Sequence, residues 1–197
     1  MVNAVLRKAV VTEVHEDDFA APLQRLGTYY CLSPAVAKLL YNQYDEEAFA
    51  MVAAFYERPA TAIRVNTLRA TDEDLTDLLH TEGHSVRPGP WPHALLVEFN
   101  GSPAASRAFA RGLFHVQGLA SQFAALCVGA QPGQKVADLC AAPGGKSLTL
   151  AECMQNQGKL ISGEYVESRV PLLRKAFARC GVTCAEAVQN DAAQLRS

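Results

Sequence analysis

The residues best suited to chemistry in this chain lie in and around one glycine-rich loop. A short apolar run ends at Asp138, and Pro143-Gly144-Gly145 then leads into a new periodic segment over residues 147–154. This order predicts a strand, a tight turn and the start of a helix, which is where α/β folds bind nucleotide-like ligands. Adjacent glycines also let the backbone approach a ligand without a Cβ collision.

Three classes of ligand compete for such a loop. A P-loop needs a glycine five residues before Gly145-Lys146-Ser147, and Cys140 stands there instead. A dinucleotide site needs three spaced glycines, whereas this loop has only Gly144 and Gly145, which are adjacent. S-adenosylmethionine has no pyrophosphate, so these departures favour it over a nucleoside triphosphate or a dinucleotide.

Two acidic positions further along the chain fit the same ligand. Glu164 lies 19 residues after Gly145, close to the roughly 20-residue offset at which such folds place an acid for the ribose hydroxyls. Asn190-Asp191 follows the third predicted strand, where a polar group could meet the adenine amine. Taken singly, these residues could be an ordinary turn, a solvated strand end and a helix cap. Their joint order favours an S-adenosylmethionine site.

The elements that must position this site alternate regularly after Pro132-Gly133. They are a strand at 135–140, a helix at 147–154, a strand at 159–166, a helix at 168–179 and a strand at 184–189. This alternation predicts an α/β fold with a parallel sheet and right-handed crossovers, the first half of a Rossmann-like domain.

Upstream, the hydrophobic period changes, and residues 60–100 have the pattern of a small α+β module. In the segment before this module, Ser33-Pro34 suits the N-cap and the first position of a helix that begins there. The predicted elements are helices at 2–14, 33–55, 71–79 and 119–129 and strands at 62–67, 94–99 and 113–117.

The composition is that of a globular protein and gives no overall electrostatic reason for nucleic-acid binding. The 197 residues are 49% hydrophobic and 19% charged, with a net charge of −2. Any contact with RNA must therefore be local. No apolar run approaches the roughly 18 residues of a membrane span, so none is predicted.

The cysteines and histidines indicate neither disulfides nor a metal. Six cysteines are scattered without a CxxC pair and without a secretion signal, which predicts reduced thiols and a cytoplasmic protein. His80 and His84 could share a helix face, but no second pair of ligands accompanies them, so no metal site is predicted.

Several segments together resemble one known family. Asp138-Leu-Cys-Ala-Ala-Pro-Gly-Gly-Lys146 resembles the first motif of the NOL1/NOP2/Sun RNA cytosine-C5 methyltransferases. Arg64-Val-Asn-Thr-Leu68 resembles their RVNTL segment in an RRM-like module, and Gly112-Leu-Phe-His-Val-Gln117 the segment entering the catalytic domain. Residues 2–8 are similar to the last helix of the NusB-like RNA-binding domain in the bacterial Sun/RsmB branch.

The resemblance implies S-adenosylmethionine as cofactor and small-subunit ribosomal RNA as substrate. It implies a NusB-like remnant at 1–14, a helical linker and RRM-like module at 15–110, and the first half of a Rossmann-like methyltransferase domain at 111–197. Glu164 stands where the family usually has aspartate. The implied cofactor-binding residues are Cys140, Ala141, Ala142, Pro143, Gly144, Gly145, Lys146, Glu164 and Asp191.

In the resembled family a cysteine thiolate attacks C6 of the cytosine, which makes C5 nucleophilic enough to take the methyl group. A second cysteine helps to release the enzyme, and the family places both in Asp-Ala-Pro-Cys and Thr-Cys motifs on later strands. No such motif follows Asp191, and Cys184 is expected at the strand end away from the ligand. No catalytic residue is therefore predicted, and the chain alone is expected not to methylate RNA.

The competing interpretation is a non-catalytic RNA-binding module derived from such an enzyme. Arg58, Arg64 and Arg69 are its candidate phosphate contacts, with ordinary solvation of surface arginines as the alternative.

Overall fold

The structure, a computed structural model, describes residues 13–57 and 59–194, which fall into one unit up to Pro59 and a second from Ala60 onward. The helix predicted at 2–14 lies almost wholly outside the described residues, and so does Arg58. Every helix within the described ranges is too short or too polar to cross a bilayer.

The first unit is helical, with a core that includes Leu26, Phe49 and Val52. Ser33 caps its main helix, because its Oγ accepts a hydrogen bond from Val36 N at 3.4 Å. The single helix predicted at 33–55 is in fact two helices, since Asp45 adopts a positive φ of 48° between them. The helices of the first unit are α1 (Pro22–Gln24), continued by a π-helical turn (Arg25–Tyr29), α2 (Pro34–Tyr44) and α3 (Glu47–Ala54).

The second unit begins with an antiparallel sheet, and this part is called the antiparallel module. Its strand order is β2-β3-β1-β4, with Ile63 of β1 opposite Leu95 of β3 and Val116 of β4. The short and largely exposed strand β2 was not predicted. Its elements are β1 (Thr61–Val65), α4 (Asp72–Thr81), β2 (Ser85–Pro88), β3 (Ala94–Glu98), α5 (Arg107–Ala110) and β4 (Phe114–Val116).

The two faces of this sheet differ in chemistry. Ile63 and Val65 pack with Leu75 and Leu79 of α4 in an apolar core. Because side chains alternate along a strand, Arg64 must face the other way, and it does so beside His115 of β4. The second face is therefore polar and, as described below, buried.

The rest of the second unit is a parallel sheet with helices, called here the parallel domain. In the described residues its strand order is β5-β6-β7, with Asp138 opposite Ser162 and Glu164 opposite Gln189. This confirms the predicted α/β fold and the order of its elements. They are α6 (Leu119–Leu126), β5 (Lys135–Asp138), α7 (Gly145–Cys153), β6 (Lys159–Glu164), α8 (Val170–Cys180) and β7 (Ala185–Gln189).

Buried hydrogen bonds join the module to the parallel domain. The Asn66 side chain donates to Gly112 O at 2.7 Å and to Cys180 O at 2.8 Å. Gly112 has a φ of +68°, and a Cβ on it would collide with the carbonyl oxygen of Arg179, so only glycine permits this close approach. The two parts therefore hold a defined geometry around α7 and α8.

Candidate functional site

The glycine-rich loop runs from the end of β5 to the start of α7. Gly144 has a φ of +114°, and a Cβ on it would lie 3.4 Å from Leu173 Cδ2. Its N–H donates to Ala141 O at 2.7 Å, and Ala141 N–H donates to Gly163 O of β6 at 2.9 Å. The loop is thus a tight turn fastened to the neighbouring strand.

A chain of buried polar groups supports the loop from below. Asp138 Oδ2 accepts from Ser147 Oγ at 2.8 Å, and its Oδ1 accepts from Cys140 N at 3.4 Å. Ser162 Oγ donates to Ser147 Oγ at 2.9 Å. The carboxylate of Asp138 is consequently turned into the protein and shapes the loop. The sequence analysis did not single out Ser147 or Ser162 for this purpose.

The start of α7 offers polar groups from the other side of the turn. The first backbone N–H groups of a helix have no partner inside it and carry the positive end of the helix dipole. Here they belong to Gly145, Lys146 and Ser147, directly after the loop. They can meet the carboxylate or another negative group of a ligand.

Glu164 ends β6, and its side chain is 7% exposed. Its Oε1 accepts from Val166 N at 3.0 Å, while Oε2 lies 3.5 Å from Arg169 Nη1. Arg169 also donates from Nη2 to Ala142 O at 3.1 Å, so it connects the acid with the loop. Arg169 was not predicted; the only signal for it is its place in the turn after β6.

Asp191 follows β7 and is half-buried. Its Oδ1 accepts from Ala193 N at 2.9 Å, so it caps the short 3₁₀ turn Ala192–Gln194. Asn190 N donates to Glu164 O at 3.0 Å, which keeps the ends of β6 and β7 together. The structure therefore brings all nine predicted residues to the carboxyl edge of the parallel sheet.

Gln117, just after β4, approaches this site from the antiparallel module. A Cβ built on Gly145 would lie only 3.3 Å from Gln117 Cγ. Gln117 Oε1 accepts from Thr149 Oγ1 of α7 at 2.8 Å. The sequence analysis identified Gln117 only as part of a motif and gave it no role.

A second polar cluster lies at the other end of α7. Arg64 Nε donates to Glu152 Oε2 at 2.7 Å, and His115 Nδ1 lies 3.5 Å from Glu152 Oε1. Burial raises the pKa of Glu152 to about 8, although the charge of Arg64 opposes this, and burial lowers the pKa of His115 to about 4. A cavity of about 800 Å³ lies beside Arg64 and Glu152, away from the loop.

This cluster corrects one prediction. Arg64 is 3% exposed and bound to Glu152, so it is not a phosphate contact. Arg69 is exposed, but its Nη1 donates to Arg111 O at 2.9 Å.

The cysteine thiols of the second unit are poorly placed for nucleophilic attack. Burial raises the pKa of Cys153, Cys180 and Cys184, which keeps these thiols protonated. Cys153 and Cys180 end helices, and Cys184 precedes β7 at the amino edge of the sheet. In the described part of this unit, Cys140 is the one cysteine at the carboxyl edge, within the loop itself.

Two family profiles match the chain. The one described as 16S rRNA methyltransferase RsmB/F matches residues 125–197. The one described as the ferredoxin-like domain of RsmF/B-like methyltransferases matches residues 36–102.

Curated relatives and a solved structure agree with these profiles. The chain is 30% identical over 193 residues to the probable ribosomal RNA small subunit methyltransferase B of Bacillus subtilis, covering 97% of this chain and 43% of that protein. It is 34% identical to the ribosomal RNA small subunit methyltransferase F of Vibrio atlanticus over 75% of this chain and 32% of that protein. The crystal structure of PH0851 superposes with a TM-score of 0.81 at 28% identity, over 94% of this chain and 42% of that one. The chain thus spans less than half the length of these relatives.

Proposed function

We propose that this chain, which belongs to the RsmB/F family of S-adenosylmethionine-dependent 16S rRNA methyltransferases, binds S-adenosylmethionine at the carboxyl edge of its parallel sheet. One observation carries the proposal: a glycine turn, a buried glutamate and an aspartate meet at the ends of three adjacent strands. Each of these groups suits a different part of that cofactor.

The chemistry of the donors and acceptors fits the cofactor. Glu164 keeps one carboxylate oxygen on Val166 N and has the other available as an acceptor for ribose hydroxyls. The turn at Gly144 brings backbone close to the ligand, and the first N–H groups of α7 can bind its carboxylate. Asp191, at the end of the third strand, is placed for the adenine amine. When bound, S-adenosylmethionine supplies an electrophilic methyl group.

We further propose that the substrate is C5 of a cytosine in small-subunit ribosomal RNA. The support is family membership and the similarity to the probable ribosomal RNA small subunit methyltransferase B of Bacillus subtilis, of which this chain covers 43%. The thiolate for attack on C6 is not expected among Cys153, Cys180 and Cys184, because they are protonated or remote from the loop. The 197 residues are thus proposed to bind the cofactor without completing methyl transfer.

Titration calorimetry of the full chain with S-adenosylmethionine and S-adenosylhomocysteine tests the cofactor site. Glu164→Gln should weaken binding about tenfold or more, because a hydrogen bond to a charged group contributes about 1.5–3 kcal/mol. The matched control is Glu186→Gln on β7, since Glu186 is an exposed acid paired with Lys159 at 3.4 Å. Equal affinity in both variants, or no binding by the unmutated chain, would contradict the proposal.

Transfer of a labelled methyl group to 16S ribosomal RNA tests the second part. The chain alone should give no product above a control without protein. Methylation that Cys140→Ser or Cys184→Ser abolishes at unchanged affinity for S-adenosylmethionine would show instead that the substituted cysteine is the nucleophile.

A further inference from the structure

We propose that Gln117 is a positioning residue that holds the start of helix α7, and with it the cofactor loop, from the edge of the antiparallel module. This role rests on the proposed function for the ligand of the loop. The contact itself concerns residues of this chain only, so it can be tested with and without cofactor.

The backbone of Gln117 is held firmly in place. It follows β4 directly, and its N–H donates to Ala62 O of the antiparallel sheet at 3.1 Å. Its carbonyl oxygen accepts from Gln122 Nε2 at 2.8 Å. The side chain therefore starts from a rigid strand end.

The side chain of Gln117 is 5% exposed and has partners at both of its polar atoms. Oε1 accepts from Thr149 Oγ1 at 2.8 Å and lies 3.0 Å from His115 Nε2, and Nε2 donates to Ser121 Oγ at 3.3 Å. Partners on both sides of the amide therefore fix the orientation of this side chain.

Two contacts connect this orientation to the loop. Thr149 Oγ1 also lies 3.1 Å from Gly145 O, so the hydroxyl that Gln117 holds also contacts the first residue of α7. Gly145 itself faces Gln117, since a Cβ there would be 3.3 Å from Cγ and 3.5 Å from Cδ. Gln117 thus sets the position of the first turn along the helix axis and its rotation about that axis.

The first turn of α7 is held from two sides. Ser147 binds Asp138 in the parallel sheet, and Thr149 binds Gln117 in the module. Residues two apart on a helix are separated by about 200° around its axis. Loss of Gln117 would remove the contact from the module and leave the helix start held on the side of the parallel sheet alone.

The test compares Gln117→Met with Asn66→Leu in the full chain. Both residues carry buried amide groups that join the module to the parallel domain. Asn66 donates to Gly112 O at 2.7 Å and to Cys180 O at 2.8 Å, at the end of α8 and not at α7. Asn66→Leu is therefore the control for a general loss of stability.

Hydrogen exchange of the backbone amides of residues 148–151 is the primary measurement, because their acceptors lie in the loop and the first turn. Gln117→Met should accelerate this exchange about fivefold or more relative to Leu160 N, which donates to Cys184 O in the parallel sheet. Thr149→Val should do the same, and Thr149→Ser, which keeps the hydroxyl, should not. Unchanged exchange in Gln117→Met, or the same acceleration in Asn66→Leu, overturns the proposal.

Affinity for S-adenosylmethionine is the second measurement. Gln117→Met should weaken binding about fivefold while Asn66→Leu leaves it unchanged. If the unmutated chain bound no cofactor, the proposed function would fail, whereas the exchange rates would still decide the role of Gln117.

Discussion

The two ends of helix α7 each have a polar cluster, and they differ in what surrounds it. At the amino end, Glu164 lies beside Arg169, whose side chain is 46% exposed, at an edge of the sheet open to a ligand. At the carboxyl end, Glu152 and Arg64 are 2% and 3% exposed and enclosed between a sheet and a helix. Acid and guanidinium occur in both, but only in the first pair is the guanidinium exposed to solvent.

This difference separates a binding site from a structural contact. In a buried ion pair, the attraction between the charges mainly offsets the free energy lost when they leave water. Removing one partner therefore leaves an unpaired charge whose burial is unfavourable. Glu164 is held by one backbone N–H and lies 3.5 Å from the partly exposed Arg169, so its Oε2 can still accept from a ligand. The wholly buried pair holds the module to α7, and Glu164 is the acid expected to act in binding.

The largest expected effect comes from breaking the buried pair. At about pH 9, above the pKa of Glu152, Arg64→Met leaves the ionised carboxylate without its cation, so the free energy of unfolding should fall by about 3–5 kcal/mol. Urea denaturation measures this. In the surface pair of Lys159 and Glu186, where both side chains are more than half exposed, Lys159→Met should cost less than about 1 kcal/mol. Equal losses would remove the distinction between the two kinds of pair.

The next largest effect on stability is expected from a substitution in the turn of the glycine-rich loop. Gly144→Ala forces a side chain onto a φ of +114° and should lower the free energy of unfolding by about 1–3 kcal/mol. Gly101→Ala is the control, because Gly101 has a φ of +109° with nothing within 4 Å of its Cβ position. Only Gly144→Ala should also weaken S-adenosylmethionine binding in calorimetry. A comparable loss of affinity in Gly101→Ala would indicate a general effect of strain.

A smaller expected effect is a dependence of the free energy of unfolding on pH, which arises in the buried cluster. The pKa of Glu152 rises from 4.5 to about 8 on burial, so between these values the folded chain holds a proton that the unfolded chain has lost. Stability then falls as pH rises. The pKa of His115 falls from 6.5 to about 4, so its contribution rises with pH and ends near 6.5.

Between pH 6.5 and 8 only the contribution of Glu152 remains. The free energy of unfolding, measured in urea at both pH values, should therefore decrease across this interval. Glu152→Gln cannot titrate and should remove most of the decrease. An unchanged slope in that variant would mean that another group is responsible.

The parallel domain was the more predictable of the two parts. Its strands and helices lie within a few residues of the predicted bounds because each has a local signal, an apolar run or a 3.6-residue period. The turn at Gly144 was predictable from its adjacent glycines. In the antiparallel module, β2 escaped prediction because it is short, exposed and ends at Pro88.

The sequence by itself determined the order of the elements and the positions of Glu164 and Asp191 at the ends of their strands, and it predicted the ligand class of the loop. These depend on local periodicity and on spacing along one chain. Only the tertiary structure decided that Arg64 binds Glu152, 88 residues away, and that Gln117 holds Thr149, 32 residues away. Such contacts depend on how the two sheets pack around α7, and no local sequence pattern shows which residues so far apart in the chain will meet. For this reason the arginine of the RVNTL segment, a candidate for RNA by its charge, is a buried structural residue by its surroundings.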